Sequence, residues 1–144
     1  MLWKYWFDVI LLHVRIWSIV LFDVYMQWLS IGVTTKHPNN EPVPQEWVDI
    51  NNSDKYWYIL VGNGKHTANH NGASRALEWD LNISANNTFA CRVVETGEFH
   101  LYYNGRDVGV ALEGLPTDQP LWGFVTLCGL KVQTDYIIAR GEDA

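Results

Sequence analysis

The residues best suited by type and spacing to bind a metal ion are two histidines four positions apart. On a helix, His66 and His70 would share one face and could hold a metal ion. They stand, however, among the Gly, Asn and Thr residues of positions 62–72, a composition typical of turns. The sequence therefore predicts a solvated loop at this place and no metal site.

A pair of acids, Glu95 and Glu98, flanks Thr96 and Gly97 and could imitate the carboxylate pair of an acid–base catalyst. Acids beside a turn usually face water, where nothing tunes a carboxylate for catalysis. The chain contains no G-x-S-x-G elbow, P-loop or H-E-x-x-H motif. We therefore expect no enzymatic activity, no catalytic residue and no cofactor.

Two cysteines, Cys91 and Cys128, are too few for a disulfide scaffold or a four-ligand zinc site. We expect them to be structural thiols in the cytoplasm, and we interpret the three N-glycosylation sequons as chance matches. The formal net charge is −6, and no basic stripe accompanies it. Nucleic acid is therefore not an expected partner, because affinity for phosphates comes from clustered Lys and Arg.

Residues 1–29 are very apolar, which raises the question of a membrane span. Asp8, Arg15 and Asp23 divide this segment, whereas a spanning helix needs about 20 predominantly apolar residues. Asp8 also interrupts the apolar core that a signal peptide needs. We therefore expect no membrane insertion. Short strands are predicted instead at residues 9–12, 16–20 and 22–26.

The rest of the chain has the pattern of a β protein. The 144-residue length fits one domain, and aromatic residues make up 14% of it. Asn104 and Gly105 are the pair that favours a type I′ hairpin turn. Many short strands separated by turns predict an all-β fold, an antiparallel β-sandwich. The strands are predicted at residues 29–34, 56–61, 89–94, 99–103, 108–112, 121–127 and 130–138.

Several of these segments resemble, in their order, the Neuralized homology repeat, a relative of the SPRY domain. Residues 31–35 (IGVTT), followed by a Pro-containing loop, are similar to a strand typical of that family. Residues 99–109 (FHLYYNGRDVG) are similar to its most distinctive stretch, a strand that ends in Asn-Gly and is followed by a Gly. Residues 127–129 (LCG) stand where the family usually has an aromatic residue before Gly. The resemblance covers residues 22–138.

The resemblance implies a SPRY- and concanavalin-like jelly roll, here with an irregular N-terminal edge. It divides the chain into an apolar segment of strands (residues 1–21), the Neuralized-like sandwich (residues 22–138) and a short polar tail (residues 139–144). The implied function is that of an adaptor, which binds a peptide segment of a target protein for ubiquitin transfer by another domain or subunit. The implied partners are that target protein or peptide and components of a ubiquitin ligase.

Partner-binding residues are expected in the loops at the rim of the sandwich, which a rigid scaffold holds in place. The corner at Cys128 and Gly129 is favoured, because a Gly lets a ligand backbone approach closely. The candidates, all in segments that follow a predicted strand, are Thr35, Lys36, His37, Asn63, Gly64, Cys128, Gly129 and Leu130.

Two alternatives remain open at this point. Sandwiches of this shape also serve as carbohydrate-binding lectins, and Trp47, Trp57 and Trp122 could stack on sugars. Trp57 and Trp122 are nevertheless expected in the core, because each stands within a strand. The second alternative is a truncated copy of the domain without binding activity.

Overall fold

The structure is a computed structural model that describes residues 2–7, 15–20, 28–36, 50–62, 64–83, 87–128 and 138–143. Within these ranges the regular elements are strands, apart from the helical residues Ile50 and Asn51. No helix in the described part of the chain is long and apolar enough to cross a membrane. The strands are β1 (Leu2–Phe7), β2 (Arg15–Val20), β3 (Trp28–Thr34), β4 (Tyr56–Gly62), β5 (His66–His70), β6 (Ala73–Leu77), β7 (Thr88–Val93), β8 (Phe99–Tyr103), β9 (Arg106–Leu112), β10 (Trp122–Cys128) and β11 (Ile138–Asp143).

The strands form two antiparallel sheets. The six-stranded sheet has the order β1-β10-β3-β4-β5-β6, and the five-stranded sheet has the order β11-β2-β7-β8-β9. Between the sheets, β1 contacts β11, β3 contacts β7 and β5 contacts β9. The two sheets therefore face each other with their strand orders aligned from one side of the sandwich to the other. The predicted antiparallel β-sandwich is confirmed.

The main core lies between the sheets and follows from the two-residue period of their strands. Leu29, Ile31 and Val33 point inward from β3 and are completely buried. Phe89 and Cys91 of β7 and their neighbours on β8 fill the opposite side. Trp57 is 7% exposed and belongs to this core, as its place within a strand predicts.

A second, smaller cluster covers the outer face of the six-stranded sheet. Ile50 packs there with Tyr56, Tyr58 and Phe124. Gly32 of β3 lies between Tyr58 of β4 and Phe124 of β10 in the register, and the two rings meet at an interplanar angle of 67°. A Cβ on Gly32 would overlap the carbonyl oxygen of Trp57 and lie 2.6 Å from Cβ of Tyr58. This close approach explains why the IGVTT segment needs glycine here.

Both ends of the chain contribute strands. β1 pairs with β10, and β2 pairs with β7, which confirms that the first thirty residues add strands to the sandwich. β11 covers residues predicted as a short polar tail and pairs along its length with β2. β11 could not be recognised as a strand from its sequence, IARGED, because Gly and acidic residues are depleted in strands. The division of the chain at residues 21 and 138 stays a prediction, and residues 9–12, 22–26 and 129–137 lie outside the described residues.

The prediction of a loop over residues 62–72 is wrong. His66–His70 form β5, which pairs with β4, and Ala73–Leu77 form β6. Asn71 (φ 51°) and Gly72 (φ 79°) both adopt positive φ, so this Asn-Gly pair closes a hairpin. Asn104 (φ 51°) and Gly105 (φ 81°) do the same between β8 and β9, which confirms the type I′ geometry predicted there.

Candidate protein-interaction site

The predicted site residues that the structure describes lie at two opposite rims of the six-stranded sheet. Thr35 and Lys36 follow β3 directly, and the backbone N–H of Thr35 donates to the carbonyl of Lys55 at 3.2 Å. The N–H of Lys36 donates to the hydroxyl of Thr34 at 3.1 Å, and its Nζ lies 5.8 Å from the ring centroid of Tyr56. We name the end of the sandwich that carries these residues the Lys36 rim.

Gly64 and Cys128 belong to the other end. Trp28, the first residue of β3, pairs with both Cys128 and Gly62, so the ends of β10 and β4 meet at the beginning of β3. The seven residues of β3 separate this Gly64 rim from the Lys36 rim by roughly 20 Å. The structure therefore brings Gly64 and Cys128 to one rim and places Thr35 and Lys36 at the other. The candidates His37, Asn63, Gly129 and Leu130 lie outside the described residues.

Residues 78–83 connect the two sheets at the Gly64 rim. They follow Leu77 of β6 and lead towards Thr88, the first residue of β7. Leu81 anchors them in the core, and the backbone N–H of Asn82 donates to the hydroxyl of Tyr103 at 3.3 Å. Asn104 of the adjacent hairpin turn accepts a hydrogen bond from the N–H of Thr88 at 2.8 Å. The connection, the hairpin turn and the start of β7 thus form one hydrogen-bonded unit.

Trp79 of this connection packs on β9 at a glycine. Gly109 has φ 138°, and a Cβ built there would lie 3.2 Å from Cζ2 of Trp79. The N–H of Gly109 donates to Oδ1 of Asp107 at 2.9 Å, and the register of β8 against β9 is irregular at this point. A β-bulge of this kind re-aims the side chains of the bulged strand. Because Gly109 has no side chain, the indole of Trp79 packs directly on the backbone of β9, and it stays partly exposed.

Two pockets follow β9 on the side of the sandwich where β6 and β9 are the edge strands, and we name the two together the edge cleft. Its Trp79 pocket, of about 300 Å³, is lined by Glu78, Trp79, Asp80, Arg106, Asp107 and Val108. Its Arg75 pocket, of about 400 Å³, is lined by Arg75, Val110, Ala111, Leu112 and Glu113. Volumes of this size lie at the lower end of ligand pockets and suit single side chains of a bound segment.

The surroundings of His66 and His70 indicate structural roles for both side chains. In a strand, residues four apart are separated by about 13 Å, too far to share a metal ion. His66 is 5% exposed, and burial lowers its pKa, although a hydrogen bond with the backbone of Leu81 and the charge of Asp80 act in the opposite direction. The ring of His70 stacks on Trp57 at 4.3 Å. Among the described residues there is no group of three potential metal ligands.

The tryptophans proposed for sugar stacking are not available for it. Trp57 and Trp122 are each 7% exposed, which leaves too little of either ring to cover a sugar. Trp47 lies outside the described residues. The lectin alternative therefore loses the two described aromatic platforms on which it was based.

The edge cleft was not predicted from the sequence, because its lining residues come from segments that are far apart in the chain. One local signal pointed to it. Trp79 stands between two acids, Glu78 and Asp80, outside any strand, and a large aromatic residue in such a polar connection needs a packing partner or a ligand.

Comparisons with known proteins agree with this architecture. The solution structure of the NHR domain in Neuralized from Drosophila melanogaster has a TM-score of 0.60 at 14% identity, covering 97% of this chain and 91% of that chain. A human SPRY domain has a TM-score of 0.62 at 12% identity, with coverages of 98% and 84%. A human galectin-16 variant has a TM-score of 0.51 at 14% identity, with coverages of 96% and 94%. At these identities the likeness shows the fold alone.

No curated protein matches the sequence. The family model named Neuralized matches residues 11–136, which include the IGVTT strand, the Asn104-Gly105 hairpin and both edges of the cleft. The resemblance that begins with these motifs thus extends over most of the chain, which belongs to the Neuralized family.

Proposed function

We propose that this protein captures an extended peptide segment of a target protein in the edge cleft and presents that target for ubiquitin transfer by another subunit. Neuralized and SPRY domains are protein-interaction modules, so a protein partner is the expected ligand class. The observation that carries the choice of site is the cleft itself. Its two pockets follow one another along β9, one beside Arg75 of β6 and the other beside residues 78–80 of the connection.

The sequence-predicted residues fit this proposal in two groups. Gly64 and Cys128 lie at the Gly64 rim, so we propose them, together with their sequence neighbours Asn63, Gly129 and Leu130, as secondary contacts of a target that leaves the cleft at Trp79. Thr35 and Lys36 lie at the Lys36 rim, and we propose them and their sequence neighbour His37 as a second group. They would contact only a target large enough to span the length of β3.

The adaptor role is an inference from the family. An adaptor needs no catalytic group, since it acts by holding the target near an enzyme. Cys91, the described thiol, is buried in the core of the sandwich. We therefore propose that a ligase subunit supplies the ubiquitin-transfer chemistry, and that both proteins meet in the cytoplasm.

Site-specific photo-crosslinking in cells tests this proposal. A benzophenone amino acid replaces Arg106, an exposed residue of the cleft, or Asp118, an exposed residue outside it. We expect one protein to crosslink through position 106 and not through position 118, and its ubiquitination to decrease when the chain is depleted. Crosslinks through position 118 alone, or a crosslinked protein whose ubiquitination does not change, would contradict the proposal. A glycan array with the same protein measures the lectin alternative directly.

A further inference from the structure

We infer that the Trp79 pocket binds an arginine side chain of the captured segment, an inference that rests on the proposed function of the edge cleft. It names one chemical feature of the partner, a guanidinium group carried by an extended peptide. Three properties of the pocket lead to it: a fixed aromatic ring, an excess of carboxylates and an apolar wall.

The ring is fixed before any ligand arrives. The indole of Trp79 packs on the backbone at Gly109, which has no side chain. The connection that carries Trp79 is held to β8 by the hydrogen bond from Asn82 to Tyr103. The indole is only partly buried and lines the pocket. A planar guanidinium stacks on such a ring more favourably than on any other aromatic side chain.

The charge around the ring is negative. Glu78 and Asp80 flank Trp79 and are both exposed, and Asp107 faces the pocket from β9. Asp107 is held in place by the N–H of Gly109 and by His100, whose Nδ1 lies 3.1 Å from its Oδ2. Arg106 is the one cation among the six described lining residues and opposes these three carboxylates. The whole chain also carries a net charge of −6, so a cationic segment is attracted as it approaches.

Arginine fits this arrangement better than lysine. Its guanidinium can stack on the indole and donate paired hydrogen bonds to a carboxylate at the same time, whereas an ammonium group offers a point charge. The methylene groups of the arginine would lie along Val108, which lines the pocket and is partly buried. Size agrees as well, because about 300 Å³ accommodates one long side chain and not a folded element.

The test selects peptides from a phage-displayed library of random dodecamers on the full chain. Selected peptides are then titrated against wild type, Trp79→Ala, and the double variant Glu78→Gln/Asp80→Asn. The matched control is Asp54→Asn/Asp118→Asn, which removes the same charge from exposed positions outside the cleft. Since all four acids are exposed, both double variants should melt like wild type, and this is checked first.

We expect the selected peptides to share an arginine. Replacing it by citrulline, which keeps the shape and loses the charge, should weaken binding about tenfold, and Glu78→Gln/Asp80→Asn should weaken it about fivefold. The control double variant should bind like wild type. Peptides that need Trp79 but share no arginine, or that tolerate citrulline, would overturn this inference and leave the proposed cleft intact. If no selected peptide is sensitive to any cleft variant, the proposed function fails as well.

Discussion

The guanidinium of Arg75 in β6 donates a hydrogen bond to the backbone carbonyl of Ala111 in β9. Arg75 pairs with the buried Ala68 in the register, so its side chain extends from the inner face of the sheet. It therefore connects the edge of one sheet to the edge of the other, across the mouth of the core. An edge carbonyl occupied in this way is also withdrawn from pairing with a foreign strand.

Removing this connection should loosen the edge cleft. Arg75→Gln is expected to lower the free energy of unfolding by about 1 kcal/mol, because the carbonyl of Ala111 loses a charged donor in a partly exposed place. Urea denaturation measures the change. The control is Arg106→Gln, another exposed arginine of the cleft, which should stay within about 0.5 kcal/mol of wild type. Equal losses in the two variants would mean that the Arg75 hydrogen bond adds nothing to stability.

Gly32→Ala should have a severe effect, because the added methyl group meets the backbone of β4. A backbone atom cannot rotate away as a flexible side chain can, so we expect a loss of at least about 3 kcal/mol. Gly64→Ala is the control, since its Cβ would meet none of the described residues within 4 Å and the positive φ is the obstacle there. Chemical denaturation of both variants should separate them clearly. A Gly32→Ala protein as stable as Gly64→Ala would show that β3 and β4 are farther apart than described.

The hairpin between β8 and β9 offers a cleaner measurement of backbone strain. Gly105 has φ 81°, and none of the described residues lies within 4 Å of its ideal Cβ, so a substitution there creates no collision with them. Gly105→Val should destabilise the protein by about 1–3 kcal/mol. Gly105→Asn should be much milder, because Asn tolerates the left-handed conformation. Denaturation midpoints that are the same for Val and Asn would refute this explanation.

His66 should make stability depend on pH. Its pKa is lowered by burial in the folded protein, so the unfolded chain takes up a proton more readily. The contribution of neutral His66 is complete above the ordinary pKa of about 6.5, and it is lost as the pH falls from there towards the lower folded pKa. His66→Gln should therefore lose less stability than wild type between about pH 7 and pH 5. Thermal melting across this range, referred to about pH 8, makes the comparison, and identical slopes would exclude His66 as the cause.

The purified protein should not build ubiquitin chains by itself. We expect no product when it is incubated with ubiquitin, activating enzyme and conjugating enzymes, because the adaptor proposal assigns the chemistry to another subunit. Immunoblotting for ubiquitin reports the result, and a known ligase in a parallel reaction shows that the enzymes are active. Chain formation that depends on this protein would contradict the adaptor role.

Strands with a strong local signal could be predicted from the sequence. Residues 56–61 and 99–103 are rich in aromatic and β-branched side chains, and the structure has β4 and β8 there. β5 (HTANH) and β6 (ASRAL) have few such residues. They are strands because β4 offers them an edge, and β propensity is weak beside that tertiary context.

The candidate site was harder to predict, because rims are defined by strand direction. Lys36 and Cys128 both stand at the end of a strand, and a local pattern treats them alike. β3 and β10 are neighbours that run antiparallel, so these two ends lie at opposite rims. The pairing joins segments far apart in sequence, and no local pattern contains it. Trp79 and Gly109 meet for the same kind of reason, because the connection that follows β6 packs on β9 of the other sheet.

The placement of the first and last strands has a practical consequence for handling the protein. β1 and β11 are edge strands of different sheets and contact each other, whereas the edge cleft lies at the opposite margins of both sheets, along β6 and β9. A tag, a surface anchor or a fused domain joined to β1 or β11 therefore starts on the far side of the molecule from Trp79. Tethering by either strand therefore leaves the cleft accessible to peptides in solution.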